Sequence, residues 1–158
     1  MSRRNRLPVA ALLALLLATT ACRRSTVYSH YEHTPIAGWD KNEVQHYSTA
    51  PLPRDGRYRE EVGLRINGAY PFTGLTLIVE QMVWPSGTTR SDTLWCKLID
   101  HDGNVQGEGI SYYQYAFHLC DIDLLRGDSL SVSIRHNMKR EMLPGISDVG
   151  LTLTRLEE

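Results

Sequence analysis

Apolar and polar residues alternate at every second position along much of this chain, and that period limits what it can fold into. Residues 128–136, DSLSVSIRH, set Leu130, Val132 and Ile134 on one face and Ser129, Ser131, Ser133 and Arg135 on the other. Residues 148–155, DVGLTLTR, oppose Val149, Leu151 and Leu153 to Gly150, Thr152 and Thr154. Residues 58–66 do the same with Val62, Leu64 and Ile66 against Glu61, Gly63 and Arg65. Only an extended backbone sends successive side chains to opposite faces, so each stretch reads as a half-buried strand. LTLIVEQMVW at 75–84 and TLWCKLI at 93–99 are more apolar and read as central strands. SYYQYAFHL at 111–119 is a further strand, with weaker candidates around Tyr28–His33 and Val44–Ser48.

Turn residues separate these runs. PSG follows Trp84, DHDGN follows Ile99, RGD stands at 126–128 and PGISD at 144–148. The Asp102-Gly103 pair is a hairpin signal, because aspartate and glycine tolerate the positive φ that tight turns require. CDIDLLRG and NMKREML hint at short helical turns, and no long amphipathic helix is visible. The pattern predicts an all-β chain, a single antiparallel β-sandwich of about seven or eight strands over residues 36–158, with a barrel as the alternative architecture.

The first residues read differently. Arg3, Arg4 and Arg6 precede the uncharged run VAALLALLLA at 9–18, then Thr19, Thr20, Ala21 and Cys22. That run is too short to span a bilayer, which needs about 20 residues, and fits the apolar core of a secretory signal peptide. A signal ending directly in cysteine resembles a bacterial lipoprotein signal, with residues 1–21 removed and Cys22 as the lipid attachment site. The alternative is an ordinary secreted protein that happens to carry Cys22. Several acyl chains hold a protein stably on a membrane where one holds it only marginally. Residues 22–35 then form a lipidated tether, with an edge strand as a further option. Setting aside the three leader arginines turns a formal charge of −1 into −4. No cluster of Lys and Arg marks a nucleic-acid surface, and that class is excluded. Arg23 and Arg24 stand beside the anchor, where anionic headgroups would attract them.

Candidate chemistry is sparse. Cys96 and Cys120 are a potential disulfide in an oxidising envelope compartment, and two buried free thiols are the alternative. His30 and His33 lie three apart, an odd interval that puts them on opposite faces of a strand, so no metal site is predicted. DHDGN lacks the glycine and glutamate spacing of an EF-hand loop. GISDVG places Val149 where the second glycine of a nucleophile elbow would stand, which leaves Ser147 without that motif. SYYQY and the tryptophans Trp39, Trp84 and Trp95 offer a sugar-stacking platform, with Tyr113 and Tyr115 on one face; strand packing explains the same aromatics. MKRE at 138–141 is either a partner-contact patch or a solvated corner.

A longer word order adds to these readings. Ile36, Trp39 and Lys41 are followed by Leu64-Arg65, Tyr70-Pro71-Phe72, Gly74-Leu75, Asp92-Thr93, Leu98, Asp100, Gly103 and Gly107-x-Gly109. The series closes with Met138-Lys139-Arg140-Glu141 and Leu143-Pro144-Gly145-Ile146-Ser147-Asp148-Val149-Gly150-Leu151. It resembles the gliding-motility-associated lipoprotein family called GldH from about Tyr31 to Leu153. The chain departs from the family pattern at Gly74, Val105 and Lys139, where Asn, Trp and Arg are usual.

The resemblance implies an envelope lipoprotein of a gliding motility apparatus that is intertwined with type IX secretion. It would be anchored in the outer membrane by lipid, with the periplasmic face favoured because RRSTVYSHYE lacks an early acidic cluster. It implies no catalytic residues and no cofactor. Its partners would be the membrane and protein components of the apparatus, with no small-molecule substrate. Tyr70, Phe72, Met138, Lys139 and Arg140 are the candidate partner contacts. A carbohydrate-binding envelope module is the second reading, and a hydrolase built on Ser147 or a histidine the third.

Overall fold

A computed structural model describes residues 25–157, and the leader and Cys22 lie outside the described residues. Ten strands follow one another with no helix among the described residues: β1 (Thr26–His33), β2 (Trp39–Asp40), β3 (Gln45–Ser48), β4 (Gly56–Asn67), β5 (Gly74–Trp84), β6 (Thr88–Lys97), β7 (Tyr112–Leu124), β8 (Ser129–His136), β9 (Met142–Leu143) and β10 (Ile146–Arg155). Two four-stranded sheets, ordered β1-β10-β4-β7 and β3-β8-β5-β6, form the sandwich, and β2 pairs with β9 in a short ribbon. All pairings are antiparallel.

The period-two reading places the core. Val62, Leu64 and Ile66 from β4, Leu130, Val132 and Ile134 from β8, and Val149, Leu151 and Leu153 from β10 are all buried. Leu75, Leu77 and Val79 of β5 complete the inner face of the second sheet. Each such side chain contributes about 1.5–3 kcal/mol by leaving water.

Three local expectations change. The CDID half of CDIDLLRG continues β7, because β4 supplies ladder partners as far as Leu124. NMKREML is a loop that ends in β9, where Met142 and Leu143 pair with Asp40 and Trp39. TLWCKLI is not central, because the second sheet ends on β6. The edge strand considered for residues 22–35 is present as β1, which lies beside β10. Tyr31 secures that edge strand. Its ring lies over Gly150 and Gly63, where any added Cβ would fall within 2.6 Å of it, and the Arg65 guanidinium stands 4.5 Å from the ring centre.

The alternation of strand directions gives the sandwich two distinct ends, joined by β4. Its 12 residues span roughly 35–40 Å at about 3.3 Å each. One end carries Ser25, the β3–β4 loop, the β5–β6 turn and the β7–β8 loop. The opposite end carries Tyr70, the long β6–β7 loop and the β8–β9 loop.

Candidate functional site at the Tyr70 end

The residues most specific to the sequence resemblance meet at the Tyr70 end. Asn67 closes β4, and its side-chain oxygen accepts the Ala69 N–H at 2.9 Å, which turns the chain toward Tyr70. The Tyr70 hydroxyl donates to the Gly74 carbonyl at 2.9 Å and so staples the loop shut. Phe72 stands edge-on to the Tyr70 ring, with centroids 5.6 Å apart. Burial pushes the Tyr70 phenol well above its ordinary range, so it remains a donor.

Gly145 explains why PGI and YPF occur together. Its φ of +83° belongs to the left-handed region that favours glycine, and a Cβ there would lie 2.3 Å from the Tyr70 amide nitrogen. The Gly145 carbonyl accepts the Asn67 N–H at 2.8 Å. The two motifs are therefore halves of one close backbone contact.

The β8–β9 loop packs alongside. The Met138 sulfur accepts the Thr76 N–H at 3.5 Å, and the Met138 carbonyl accepts Lys41 Nζ at 2.9 Å. Beneath it Trp39 and His136 are fully buried, with ring centres 5.2 Å apart. Trp39 Nε1 donates to the Glu43 carbonyl at 2.9 Å, and His136 Nε2 donates to the Trp39 carbonyl at 3.2 Å. Burial lowers the His136 pKa, so this ring is a neutral structural pin.

Tyr70, Phe72 and Met138 are thus brought together half-buried, while Lys139 and Arg140 stand exposed above them. Ile36, Ile110, Tyr112 and Met142 are exposed apolar residues at this end. Ile110 was not singled out from the sequence, because a loop residue carries no periodicity to signal its exposure.

The remaining candidates fall elsewhere. Cys96 and Cys120 are buried free thiols, so the disulfide considered for them is not formed. They stand on different sheets, Cys96 opposite Leu75 and Cys120 opposite Glu60. Desolvation pushes the Cys96 thiol up to about 12 and the Cys120 thiol to about 11, which makes both poor nucleophiles.

The aromatic platform also separates. Tyr115 is buried and stacks on Phe117, and Trp39 is in the core, while Trp84 and Trp95 are exposed on the second sheet. Ser147 Oγ donates to Asp148 Oδ2, and His33 pairs with the other oxygen of the same carboxylate. The acid stands between hydroxyl and imidazole, whereas an activated serine needs the imidazole next to it. Asp100 is consumed by its own turn, accepting the Asp102 and Asn104 N–H groups at 2.9 and 2.8 Å. Among the described residues no three His, Cys, Asp or Glu side chains gather to hold a metal ion.

A shallow depression of about 700 Å³ crosses the outer face of the second sheet. Register puts His46, Ser133, Glu80 and Ser91 in one row and Ser48, Ser131, Met82 and Thr89 in the next. Small hydroxyl side chains make the floor.

Together these features define a class: a two-sheet antiparallel β-sandwich whose distinctive residues build one loop-bearing end. The comparison with known proteins is more specific. The model of the GldH lipoprotein family matches residues 26–153, and the chain belongs to this family. The gliding motility lipoprotein GldH of Flavobacterium johnsoniae is 30% identical over 149 residues, covering 90% of this chain and 92% of its own. Among solved structures, a family 35 carbohydrate binding module from Clostridium thermocellum covers 80% of this chain and 87% of its own at 12% identity, with a TM-score of 0.37. Likeness at that level carries no argument about ligand or role.

Proposed function

We propose that this GldH-family lipoprotein is a non-enzymatic accessory of the gliding motility and type IX secretion apparatus, held to the periplasmic face of the outer membrane through acylated Cys22. The observation that carries this reading is the gathering of the family-specific residues at the end of the sandwich opposite Ser25. An anchor just before Ser25 leaves that end free to meet protein components of the apparatus. Tethering would confine the domain to a thin layer and raise its effective concentration toward membrane partners without any new contact. The Phe72 edge, Lys139, Arg140 and Met142 are the contacts on offer.

The test is a deletion strain complemented with wild type, Cys22→Ala, or a Lys139→Glu/Arg140→Glu pair at equal abundance. Colony spreading and the amount of type IX cargo at the surface are read. Restoration by wild type alone supports the reading. Normal cargo and spreading in the deletion strain would remove it.

A second reading, oligosaccharide binding, draws on the hydroxyl-floored depression around Glu80 and His46. Glycan-array binding that disappears on Glu80→Ala would favour it over the first.

A further inference from the structure

The end of the sandwich nearest the anchor has a composition of its own. Ser25, the first described residue, accepts the Arg155 N–H at 2.8 Å, which fixes the start of β1 beside the end of β10. Two residues separate Cys22 from Ser25, and the three Cα-to-Cα steps between them reach at most about 11 Å. An acylated Cys22 therefore holds this end, and no other, against the bilayer surface.

Four arginines occupy it. Arg54 stands in the β3–β4 loop, Arg57 at the start of β4, Arg126 in the β7–β8 loop and Arg155 at the end of β10. None lies within 4 Å of a carboxylate among the described residues, whereas Arg59, Arg65 and Arg90 farther up the strands are each paired. Two acids of this end are spent on the fold: Asp55 accepts the Arg126 N–H and Asp128 the Leu125 N–H. Among the described residues, Asp123 and Glu157 remain against the four arginines.

Two large apolar side chains stand among these charges. Leu125 is 66% exposed at the tip of the β7–β8 loop, and Trp84 is 49% exposed where β5 ends opposite Ser129. Arginine, tryptophan and leucine together match a membrane interface, where cations meet anionic headgroups and amphipathic rings sit at headgroup level.

We propose that the Ser25 end is a bilayer-docking face, in which Arg54, Arg57, Arg126 and Arg155 engage anionic phospholipid headgroups while Leu125 and Trp84 enter the interface. This rests on the reading that Cys22 is acylated, which selects the end that faces the membrane. Docking adds a fixed orientation to the anchor, with the long axis of β4 upright and the Tyr70 end presented roughly 35–40 Å away.

The face is tested without the lipid, on the chain from position 22 carrying Cys22→Ser. Vesicles of phosphatidylethanolamine and phosphatidylglycerol are compared with pure phosphatidylcholine in a co-sedimentation assay. Binding to the anionic vesicles is expected, with release at about 1 M salt, where the Debye length falls to about 3 Å. One arginine near an anionic surface changes binding about five-fold, so Arg54→Gln with Arg126→Gln lowers the partition coefficient roughly 20- to 30-fold. Both side chains are exposed, and circular dichroism checks that the pair remains folded.

Lys139→Gln with Arg140→Gln, at the far end, leaves binding unchanged. Tryptophan emission shifts to the blue on binding, and the shift is absent in Trp84→Phe although Trp95 remains. Equal binding to phosphatidylcholine, no binding to either vesicle, or equal loss from the far-end pair would overturn the proposal. Acylation is read separately, from the mass of the Cys22 peptide in the membrane fraction, so failure of the face and failure of the anchor are distinguishable.

Discussion

Glu60→Gln should make this protein more stable at pH 8 and change it little at pH 5. Glu60 points from β4 into the core with no exposed surface. Gln81 reaches it from the facing sheet; with its amide nitrogen turned toward the carboxyl, it donates to the two oxygens at 3.0 and 2.7 Å. The Cys120 thiol donates at 3.6 Å. No cation pairs with the carboxyl directly, because Arg90 is held by Asp92 at 2.6 Å.

Loss of hydration therefore dominates, and it pushes the Glu60 carboxyl up to about 7. An acid whose pKa is raised on folding supports the fold fully below its unfolded value, near 4.5. That support falls as pH climbs through the window from about 4.5 to about 7 and is gone above it. At about 1.4 kcal/mol per unit, the span amounts to roughly 3 kcal/mol.

Glutamine keeps the shape and cannot ionise. Its Tm at pH 8 should exceed that of wild type by roughly 10 °C. At pH 5 the two proteins should agree to within about one hydrogen bond, 0.5–1.5 kcal/mol. Thermal and urea unfolding of a protein beginning at Ser25, followed at intervals from pH 5 to pH 8, measure the two. Parallel stability profiles for the two proteins across that range would refute the argument that Glu60 is taking on charge in a dry site.

Further perturbations address the packing. Gly145→Ala should destabilise the protein by at least about 2 kcal/mol, from a strained φ together with the collision at the Tyr70 amide, read as a lower urea midpoint. Gly150→Ala should displace the Tyr31 ring and lower stability by about 1–3 kcal/mol, with hydrogen exchange rising first in β1. Trp39→Ala should remove about 3–5 kcal/mol, because the ring is fully buried against His136. Cys96 and Cys120 should react with a thiol reagent only on unfolding, and both should be available then; one or no reactive thiol in the unfolded protein would contradict the free-thiol structure.

The strands were legible because alternation is a local signal. Leu130, Val132 and Ile134 declare a face whatever they pack against, and the structure buries all three. The glycine of PGI and the aromatic pair of YPF were legible only as an ordered series of residues. Their physical reason, one backbone pressed on another, joins residues 75 positions apart. The helical hints at 120–127 and 137–143 failed because a ladder partner or a tight loop overrides short-range propensity.

The sequence by itself determined the strand-rich class, the turns, most of the core and the family, since each is written in local pattern or residue order. Only the tertiary structure decided which residues meet. It separated Cys96 from Cys120, put an acid between Ser147 and His33, buried Glu60, and divided the loops into a Ser25 end rich in arginine and a Tyr70 end rich in family-specific residues. Those outcomes depend on strand order and register, which are set by the joint burial of both sheet faces, and no single strand carries that information.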